Sequence, residues 1–279
     1  MLACALFFDL SMHAQEEGEQ ANEPIILAVT TLHRTSDKDV DSSDWLETEK
    51  EYFDKVTMKN DLIINSGVYF HYFTPDASEI VMISTYKNWN DIEAAVKMTS
   101  ELVNEAWPEE AAREAFFKKQ SSYYSPLHSD EIYSSTKFEK ALETTSEEPL
   151  IYYVKRNIGG NGDIETFKAY YDNVIMKNNV IKGYYTHSHM YGANSREFNE
   201  VFVFDSFGDI EKAFNEDERL VKDHWELEDE RKEFMKKYMN LFENHGDYIY
   251  QNVPELGVCS QINLNFFTQN LREVSANLV

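Results

Sequence analysis

Cysteine is scarce in this chain of 279 residues, which has only Cys4 and Cys259. The two form neither a C-x-x-C motif nor any other close pair, so the sequence supports no disulfide framework and no thiolate zinc site. Phosphate-binding and nucleophile motifs are also missing. There is no Walker sequence and no G-x-S-x-G, and the glycine-rich stretch at 157–163 lacks the dinucleotide-binding spacing. No motif in the chain therefore names a reaction.

Basic residues are few: 26 Lys and Arg stand against 50 Asp and Glu, giving a formal net charge of −24. Such a surface repels nucleic-acid phosphates and anionic lipid, so we expect no nucleic-acid partner. Apolar runs are short, and none approaches the roughly 20 residues of a membrane-spanning helix, so we expect no membrane insertion. Hydrophobic residues make up 42% of the chain and aromatic residues 14%, which is enough for a sizeable packed core.

The first 22 residues differ in character from the rest. An apolar run at 2–8 is followed by a polar, Glu- and Gln-rich spacer, as at the end of a secretory signal peptide, although Asp9 interrupts it and a basic start is missing. We therefore expect residues 1–22 to be a signal segment, shortened at its start, with a spacer; the alternative is an ordinary frayed terminus. The expected localisation is export, periplasmic or secreted, with a cytoplasmic location as the alternative.

The most informative feature of the chain is an internal repeat. With an offset of 118 residues, positions 51–119 match 169–237 without a gap, and 21 of the 69 positions are identical. Unrelated sequences of this composition would share about 4. The identities include the triplet at 58–60 with that at 176–178, and His71 with His189. Upstream, the run at 23–29 matches 148–154 at an offset of 125, so the first copy has a longer first loop.

Each copy shows the same order of predicted elements. Short β-rich runs at 26–31 and 150–155 precede segments with helical spacing, then two aromatic extended runs separated by polar loops, a long helical stretch and a last strand. This order, β-α-β-β-α-β, is that of a ferredoxin-like unit. The predicted fold class is α+β, with two tandem ferredoxin-like repeats, at 23–140 and 148–254, and a tail at 255–279. Because each antiparallel sheet has helices on one face only, we expect the two sheets to face each other as a barrel.

In element order, duplication and unit length, residues 24–254 resemble the dimeric α/β-barrel superfamily in a fused, tandem form. Its members include EthD-like, NIPSNAP-like and antibiotic-biosynthesis-monooxygenase-like proteins, together with the haem-binding chlorite dismutase group. The resemblance implies a ligand site between the sheets. It also implies cofactor-independent oxygenation or isomerisation if the protein is an enzyme, and haem if it follows the dismutase group.

Strand alternation predicts which side chains face the barrel lumen. On the second strand of each copy we expect the set that contains histidine to point inward, because polar-tipped rings suit a hydrated cavity. On the third strand we expect Met82, Ser84, Glu200 and Phe204 to join them, with Ile83, Val201 and Val203 under the helices. The predicted ligand-binding residues are Tyr69, Tyr185, His187, Tyr191, Tyr86 and Phe202.

His71 and His189 are the predicted catalytic residues, because a neutral imidazole can accept a proton or orient a ligand. The alternative is a histidine that is hydrogen-bonded within the sheet. His187 and His189 could also present two imidazoles to a divalent metal, with Glu200 or His245 as third ligand, although the first copy has Tyr69 at the position of His187.

Two further His-x-Asp pairs open the last strand of each copy: His128 with Asp130, and His245 with Asp247. They are second-tier site candidates, since a His-x-Asp pair can form an oriented base. Residues of this kind also fix turns.

Three functions remain open from the sequence. The first is the binding of a small apolar or aromatic molecule between the sheets, with no cofactor, and with an oxygenase- or isomerase-like reaction if the protein is an enzyme. The second is a haem- or metal-binding barrel. The third is a non-catalytic exported module, structural or for interaction, against which a lined lumen of several hundred cubic ångströms would argue. The expected partner is a small molecule, and the expected state is a monomer or homodimer.

Overall fold

The computed structural model describes residues 23–35, 42–142 and 146–259. The proposed signal segment at 1–22 lies outside the described residues, as does the C-terminal tail beyond Cys259. Within the described residues, no helix combines the length and the apolar character needed to cross a membrane.

The first repeat folds in the predicted order. A break at Pro108 divides its long helical stretch into two helices, as the proline suggested. The side chain of Asn88 caps the first of these, accepting a hydrogen bond from the amide of Asp91 at 3.1 Å. The elements are β1 (Ile26–Arg34), α1 (Ser42–Lys55), β2 (Asn65–Phe73), β3 (Glu79–Tyr86), α2 (Trp89–Ala106), α3 (Glu110–Ser121) and β4 (Tyr124–Ser135).

The second repeat has the same elements with one local change. Its first helix starts at an Asp163 cap, which accepts from the amide of Thr166 at 2.7 Å, and it ends in a π-helical turn, Tyr171–Ile175. The elements are β5 (Ile151–Gly159), α4 (Ile164–Tyr170), β6 (Gly183–Tyr191), β7 (Glu197–Phe204), α5 (Asp209–His224), α6 (Glu228–Met239) and β8 (Phe242–Asn252).

The eight long strands close into a barrel. Within the repeats the strand orders are β2-β3-β1-β4 and β6-β7-β5-β8, and every pairing is antiparallel. Two joints connect the repeats: β4 pairs with β6, and β2 pairs with β8. The two sheets therefore face each other across one lumen, which confirms the predicted fold class.

Each sheet packs its outer face against its own helices. In the first repeat, Trp45 and Phe53 of α1 contact Val68 and Ile80 of the sheet. In the second, Phe167 of α4 and Ala213 of α5 lie against a set of strand residues. These strand residues are Ile151, Tyr153, Tyr184, Phe202 and Phe204.

The first residues of the segment assigned to a tail belong to the folded body. A 3₁₀ turn, Pro254–Leu256, places the fully buried Leu256 in the helix–sheet core of the first repeat. A two-residue strand β9, Val258–Cys259, then pairs with Asn65 and Ser66 at the start of β2.

Candidate functional site

The middle of the lumen is filled by side chains from both repeats. The rings of Tyr69 and Tyr152 meet edge to face, with centroids 4.8 Å apart. Burial raises the pKa of Tyr69 to about 12, so its hydroxyl stays protonated at neutral pH. The residues that pack here are Leu27, Val29, Val81, Tyr133, Tyr250, Tyr69, Ile83, Tyr152, Val154 and Tyr248.

The strand β6 turns its predicted face inward. Tyr185 pairs with Val201, and His187 pairs with Asn199, on the lumen side of the barrel. The hydroxyl of Tyr185 is already engaged, because it accepts from the amide of Leu142 at 3.0 Å. Burial lowers the pKa of His187 to about 4, so this imidazole is neutral at physiological pH.

The two histidines predicted as an equivalent pair differ in their surroundings. His71 serves a turn: its Nδ1 accepts from the amide of Thr74 at 3.2 Å and lies 2.9 Å from the Thr74 hydroxyl. His189 packs edge-on against Tyr133, and its buried Nε2 has no hydrogen-bond partner among the described residues. His189 therefore keeps a free ring nitrogen inside the barrel.

Next to His189 lies a polar group of side chains. The Tyr133 hydroxyl donates a hydrogen bond to Glu197 Oε1 at 2.7 Å and also lies 3.0 Å from Glu131 Oε2. The Arg156 guanidinium lies 3.8 Å from Glu131 Oε2 and covers the ring of Tyr248 at 4.8 Å from its centroid. The negative charges of Glu131 and Glu197 therefore offset part of the cost of burying Arg156, whose Nε has no hydrogen-bond partner among the described residues.

The third strands were predicted with the wrong face inward. Met82 packs with the α1 core, and Tyr86 lies near Tyr52 of α1, so both are under the helices. Phe202 and Phe204 lie under the helices of the second repeat, as does the Glu200 carboxylate, which Tyr184 holds. By alternation Ser84 points the same way. Ile83, Val201 and Val203 face the lumen instead, because Ile83 pairs with Gly67 and the two valines pair with Tyr185 and Gly183.

Two other predictions also need correction. Tyr191 lies beyond a β-bulge, pairs with the outward-facing Ile132, and is 67% exposed, so it does not line the lumen. The metal alternative fails in its geometry, because Glu200 lies on the opposite face of the sheet from His187 and His189. Among the described residues, no group of three or more His, Cys, Asp and Glu side chains could hold a metal.

The second-tier pairs lie on the outer surface. His128 and Asp130 are 3.6 Å apart, as are His245 and Asp247, and all four residues are exposed. Asp247 also accepts a hydrogen bond from the Tyr153 hydroxyl at 2.6 Å. Asp247 thus contacts Tyr153, which lines a cavity between the second sheet and its helices.

A cavity of about 520 Å³ lies outside the lumen, between the second sheet and the helices α4, α5 and α6. Tyr170 and Tyr238 stack on one wall with ring centroids 4.0 Å apart, and Tyr153 and Phe202 stack at 5.5 Å on the sheet. The π-helical turn follows Tyr170 directly, and such turns recur at functional sites. Five aromatic and three aliphatic side chains therefore form the apolar part of the lining, as in many small-molecule sites, and seven charged side chains complete it.

A fully buried carboxylate, Glu200, forms part of the sheet wall of this cavity. Its Oε1 accepts from the Tyr184 hydroxyl at 2.7 Å, and its Oε2 accepts from Asn157 Nδ2 at 2.8 Å. A buried carboxylate costs free energy unless it is hydrogen-bonded. The two bonds hold this one in a fixed position.

A second carboxyl, Asp217 of α5, lines the same cavity. Burial, reinforced by the negative charge of Glu200, raises the pKa of Asp217 to about 6, against opposing hydrogen bonds. Asn178 donates to its Oδ1 at 2.7 Å, and Tyr170 donates to its Oδ2 at 3.5 Å. A carboxyl that titrates this close to neutrality can both accept and return a proton.

The first repeat provides an internal comparison. Its equivalents of Tyr170 and Met235 are Tyr52 and Phe117, which pack with Trp107 and Phe116 in one aromatic group. The equivalents of Glu200 and Asp217 are Met82 and Thr99. The carboxyl pair therefore belongs to the second repeat alone.

Sequence reasoning missed Asp217 and assigned Glu200 to the lumen face, although a signal for the role of each was present. Glu200 interrupts the apolar strand at 197–204, where the first repeat has Met82. Asp217 replaces Thr99 on a helix that is otherwise aligned residue by residue. The informative positions were those at which the copies differ.

Comparisons with known proteins agree on the fold. No family model matches the chain, and no curated protein matches it. Among solved structures, a candidate monooxygenase from Fusobacterium nucleatum subsp. nucleatum is similar over 83% of this chain and 93% of its own, with TM-score 0.53 and 10% identity. One from Lactobacillus acidophilus covers 85% and 99%, with TM-score 0.51 and 8% identity. A mutant chlorite dismutase from Candidatus Nitrospira defluvii covers 83% and 92%, with TM-score 0.50 and 9% identity.

The chain therefore has the dimeric α/β-barrel fold in its fused, tandem form. At these identities the likeness defines the fold, and the reaction must be argued from the site.

The cavity lining does not fit haem, the cofactor that the dismutase resemblance implied. Haem iron is held by His, Cys, Met or Tyr. Among the described residues, no His or Cys lines the cavity, and the hydroxyls of Tyr153 and Tyr170 are bound to Asp247 and Asp217. The thioether of Met235 and the hydroxyl of Tyr238 remain. Burial raises the pKa of Tyr238, which disfavours the phenolate that would bind iron, and none of the described imidazoles lines the cavity, so no step is assigned to haem.

Proposed function

We propose that the second repeat binds a small aromatic molecule in the cavity under α5 and α6, and that Asp217 transfers a proton to and from it. The observation that supports this proposal best is a pair of carboxyls, Glu200 and Asp217, beside the five aromatic side chains that line a cavity of about 520 Å³. This places the ligand beside the barrel instead of between the sheets.

The expected chemistry is a tautomerisation of the bound molecule. The Asp217 carboxylate removes a proton from a carbon next to a ring carbonyl, and the same group returns that proton to another atom. Burial, with a smaller contribution from the charge of Glu200, raises the pKa of Asp217 to about 6, so that both protonation states are accessible. The step balances without a cofactor, which agrees with the isomerase-like function expected from the resemblance.

The test uses 2-tetralone, an aromatic ketone with exchangeable C–H protons. We expect the protein to bind it and to accelerate exchange of its C1 protons in deuterated water, followed by NMR. The variant Asp217→Asn should slow this exchange by about 100-fold or more while the dissociation constant changes by less than about threefold. The matched control is Glu211→Gln, on an exposed position of the same helix.

Two results would contradict the proposal. One is an unchanged exchange rate in Asp217→Asn, and the other is a wild-type protein that binds no aromatic probe.

We propose the lumen next to His189 as a second, separate candidate site. The supporting observation is the buried Nε2 of His189, which has no hydrogen-bond partner among the described residues. Comparing His189→Ala with His71→Ala tests it. If only His189→Ala loses binding of a small polar ligand, the result supports a site in the lumen. Equal affinities in both variants and in the wild type would contradict such a site.

A further inference from the structure

The cavity of the proposed function is bordered by cations, in a chain whose net charge is −24. Three carboxyls line it: Glu200, Asp217 and Glu218. Against them stand four basic side chains, Lys155, Lys222, Arg231 and Lys232. The lining therefore has one more basic than acidic side chain, although the chain is strongly acidic, and this excess favours an anionic ligand here.

Comparison of the repeats separates the structural cation from the others. Arg231 donates from Nη1 to the carbonyl of Trp225 at 2.7 Å, and its equivalent Arg113 donates to Trp107 at 3.0 Å. This bond is shared by both copies and holds the corner between two helices. The other three cations have uncharged or acidic equivalents in the first repeat. These equivalents are Thr30, Asn104 and Glu114 for Lys155, Lys222 and Lys232 respectively.

The three cations of the second repeat differ in how they are compensated. Lys222 forms an ion pair with Glu218, and Lys232 forms one with Glu228 at 2.5 Å; both lysines are exposed. Lys155 is half-buried on β5, and within the described part of the chain its ammonium has no ion-pair partner. Its strand neighbours Glu200 and Asp247 accept hydrogen bonds from other side chains, from Tyr184 and Asn157 and from Tyr153 respectively, and attract Lys155 without forming an ion pair with it.

We infer that the ligand of this cavity is an aromatic carboxylic acid, whose carboxylate is bound by Lys155 and attracted by Lys222 and Lys232 at the opening. The inference rests on the proposed function. The aromatic body lies between the rings of the cavity, and the opposite end of the molecule meets Asp217. A half-buried ammonium without a partner gains more from an anionic ligand than an exposed one does, because water screens it less.

The experiment measures the affinities of two matched probes, 6-hydroxy-2-naphthoate and 2-naphthol, by titration calorimetry on the full chain at low and high salt. We expect wild-type protein to bind the carboxylate at least about tenfold more tightly. In Lys155→Met this preference should fall to within about threefold. Lys155→Thr, which introduces the equivalent residue of the first repeat, should reduce the preference to the same extent. Lys155→Arg should keep most of the preference, because it keeps the charge.

The control is Lys237→Met, on the same helix as Lys232 but outside the cavity lining. It should leave both affinities unchanged. High salt should remove the smaller part of the preference that comes from the exposed lysines and leave the part that comes from Lys155.

The outcomes separate the two proposals. Equal affinities for the two probes in the wild type would overturn the acid inference and leave aromatic binding in place. The same holds if the preference survives in a triple variant without Lys155, Lys222 and Lys232. If neither probe binds, the proposed function fails and the acid inference fails with it.

Discussion

Asn178 donates from Nδ2 to Asp217 Oδ1 at 2.7 Å, in the place where Asn60 of the first repeat donates to Thr99 Oγ1 at 2.9 Å. Both asparagines also donate to a helix carbonyl, of Ala213 and Ala95 respectively. The repeated triplet that ends in these residues is therefore a structural device, which ties the first helix of each repeat to the second. In the second repeat, the same device holds an ionisable group.

The stability of the protein should decrease as the pH rises, and Asp217 should account for part of this decrease. Its pKa in the folded protein is about 6, above the ordinary 3.8, so the folded state binds this proton more tightly than the unfolded chain does. The free energy of unfolding therefore loses a contribution as pH rises from about 4 to about 6. In Asp217→Asn this loss should be absent. Urea unfolding between pH 4 and pH 7 measures it, and parallel curves for wild type and variant would contradict it.

Removing the charge of Glu200 should lower the pKa of Asp217. In Glu200→Gln the repulsion between the two carboxyls is gone, but burial still keeps the pKa above 3.8. The fold should persist, because the amide oxygen can still accept from Tyr184, and a rotated Asn157 side chain can present its unpartnered Oδ1 to the new amide. Carboxyl carbon NMR titration gives the value, with Glu211→Gln as control. A pKa that stays at about 6 would count against the coupling.

Filling the cavity should abolish binding without harming the fold. Met235→Phe introduces the residue of the first repeat, where Phe117 meets Tyr52 edge to face at 6.3 Å. We expect stability to be kept or raised by about 1 kcal/mol, and affinity for 2-naphthol to fall at least about tenfold. Met239→Phe, one turn further on the helix and 66% exposed, is the control. Calorimetry on both variants decides, and undiminished binding in Met235→Phe would place the ligand elsewhere.

Gly192 should be sensitive to a single added carbon. Its φ is +142°, and a Cβ would lie 2.9 Å from Glu131 Cγ and 3.2 Å from His189 Nε2. We expect Gly192→Ala to cost about 1–3 kcal/mol, because side chains disfavour this conformation and the wall of the lumen would be pushed inward. Gly208→Ala, with φ −68° and no atom within 4 Å of the new carbon, should change stability by less than about 0.5 kcal/mol. Equal effects would show that neither the conformation nor the contacts of Gly192 matter.

The duplication made the fold predictable from sequence. Two aligned copies show the periodicity of each element twice, and this gave the element order and the facing sheets that the structure has. The lumen faces of β2 and β6 were also predicted correctly, as Tyr69 and Tyr185 show. The faces of β3 and β7 were reversed, because in a closed barrel both faces are buried and are similarly apolar. The register across each hairpin determines which face points into the lumen, and the alternation of side chains along one strand does not reveal that register.

The candidate site was less predictable. Histidines drew attention because they are equivalent in the two copies, yet His71 serves a turn with Thr74. Glu200 and Asp217 differ between copies, and their importance comes from burial and from lining the same cavity. Neither property is visible in a linear pattern, since it arises only when β7 and α5 are packed together.

The joint between β2 and β8 has a consequence for folding. Its register pairs Tyr69 with Asn252, so residues from nearly opposite ends of the chain must meet before the ring of strands is complete. Contacts of such long sequence separation form slowly, and the hairpins within each half form earlier. A half-assembled molecule would expose two aromatic sheet surfaces to its neighbours during synthesis. Rapid dilution at low protein concentration should therefore give a higher refolding yield than dilution at high concentration.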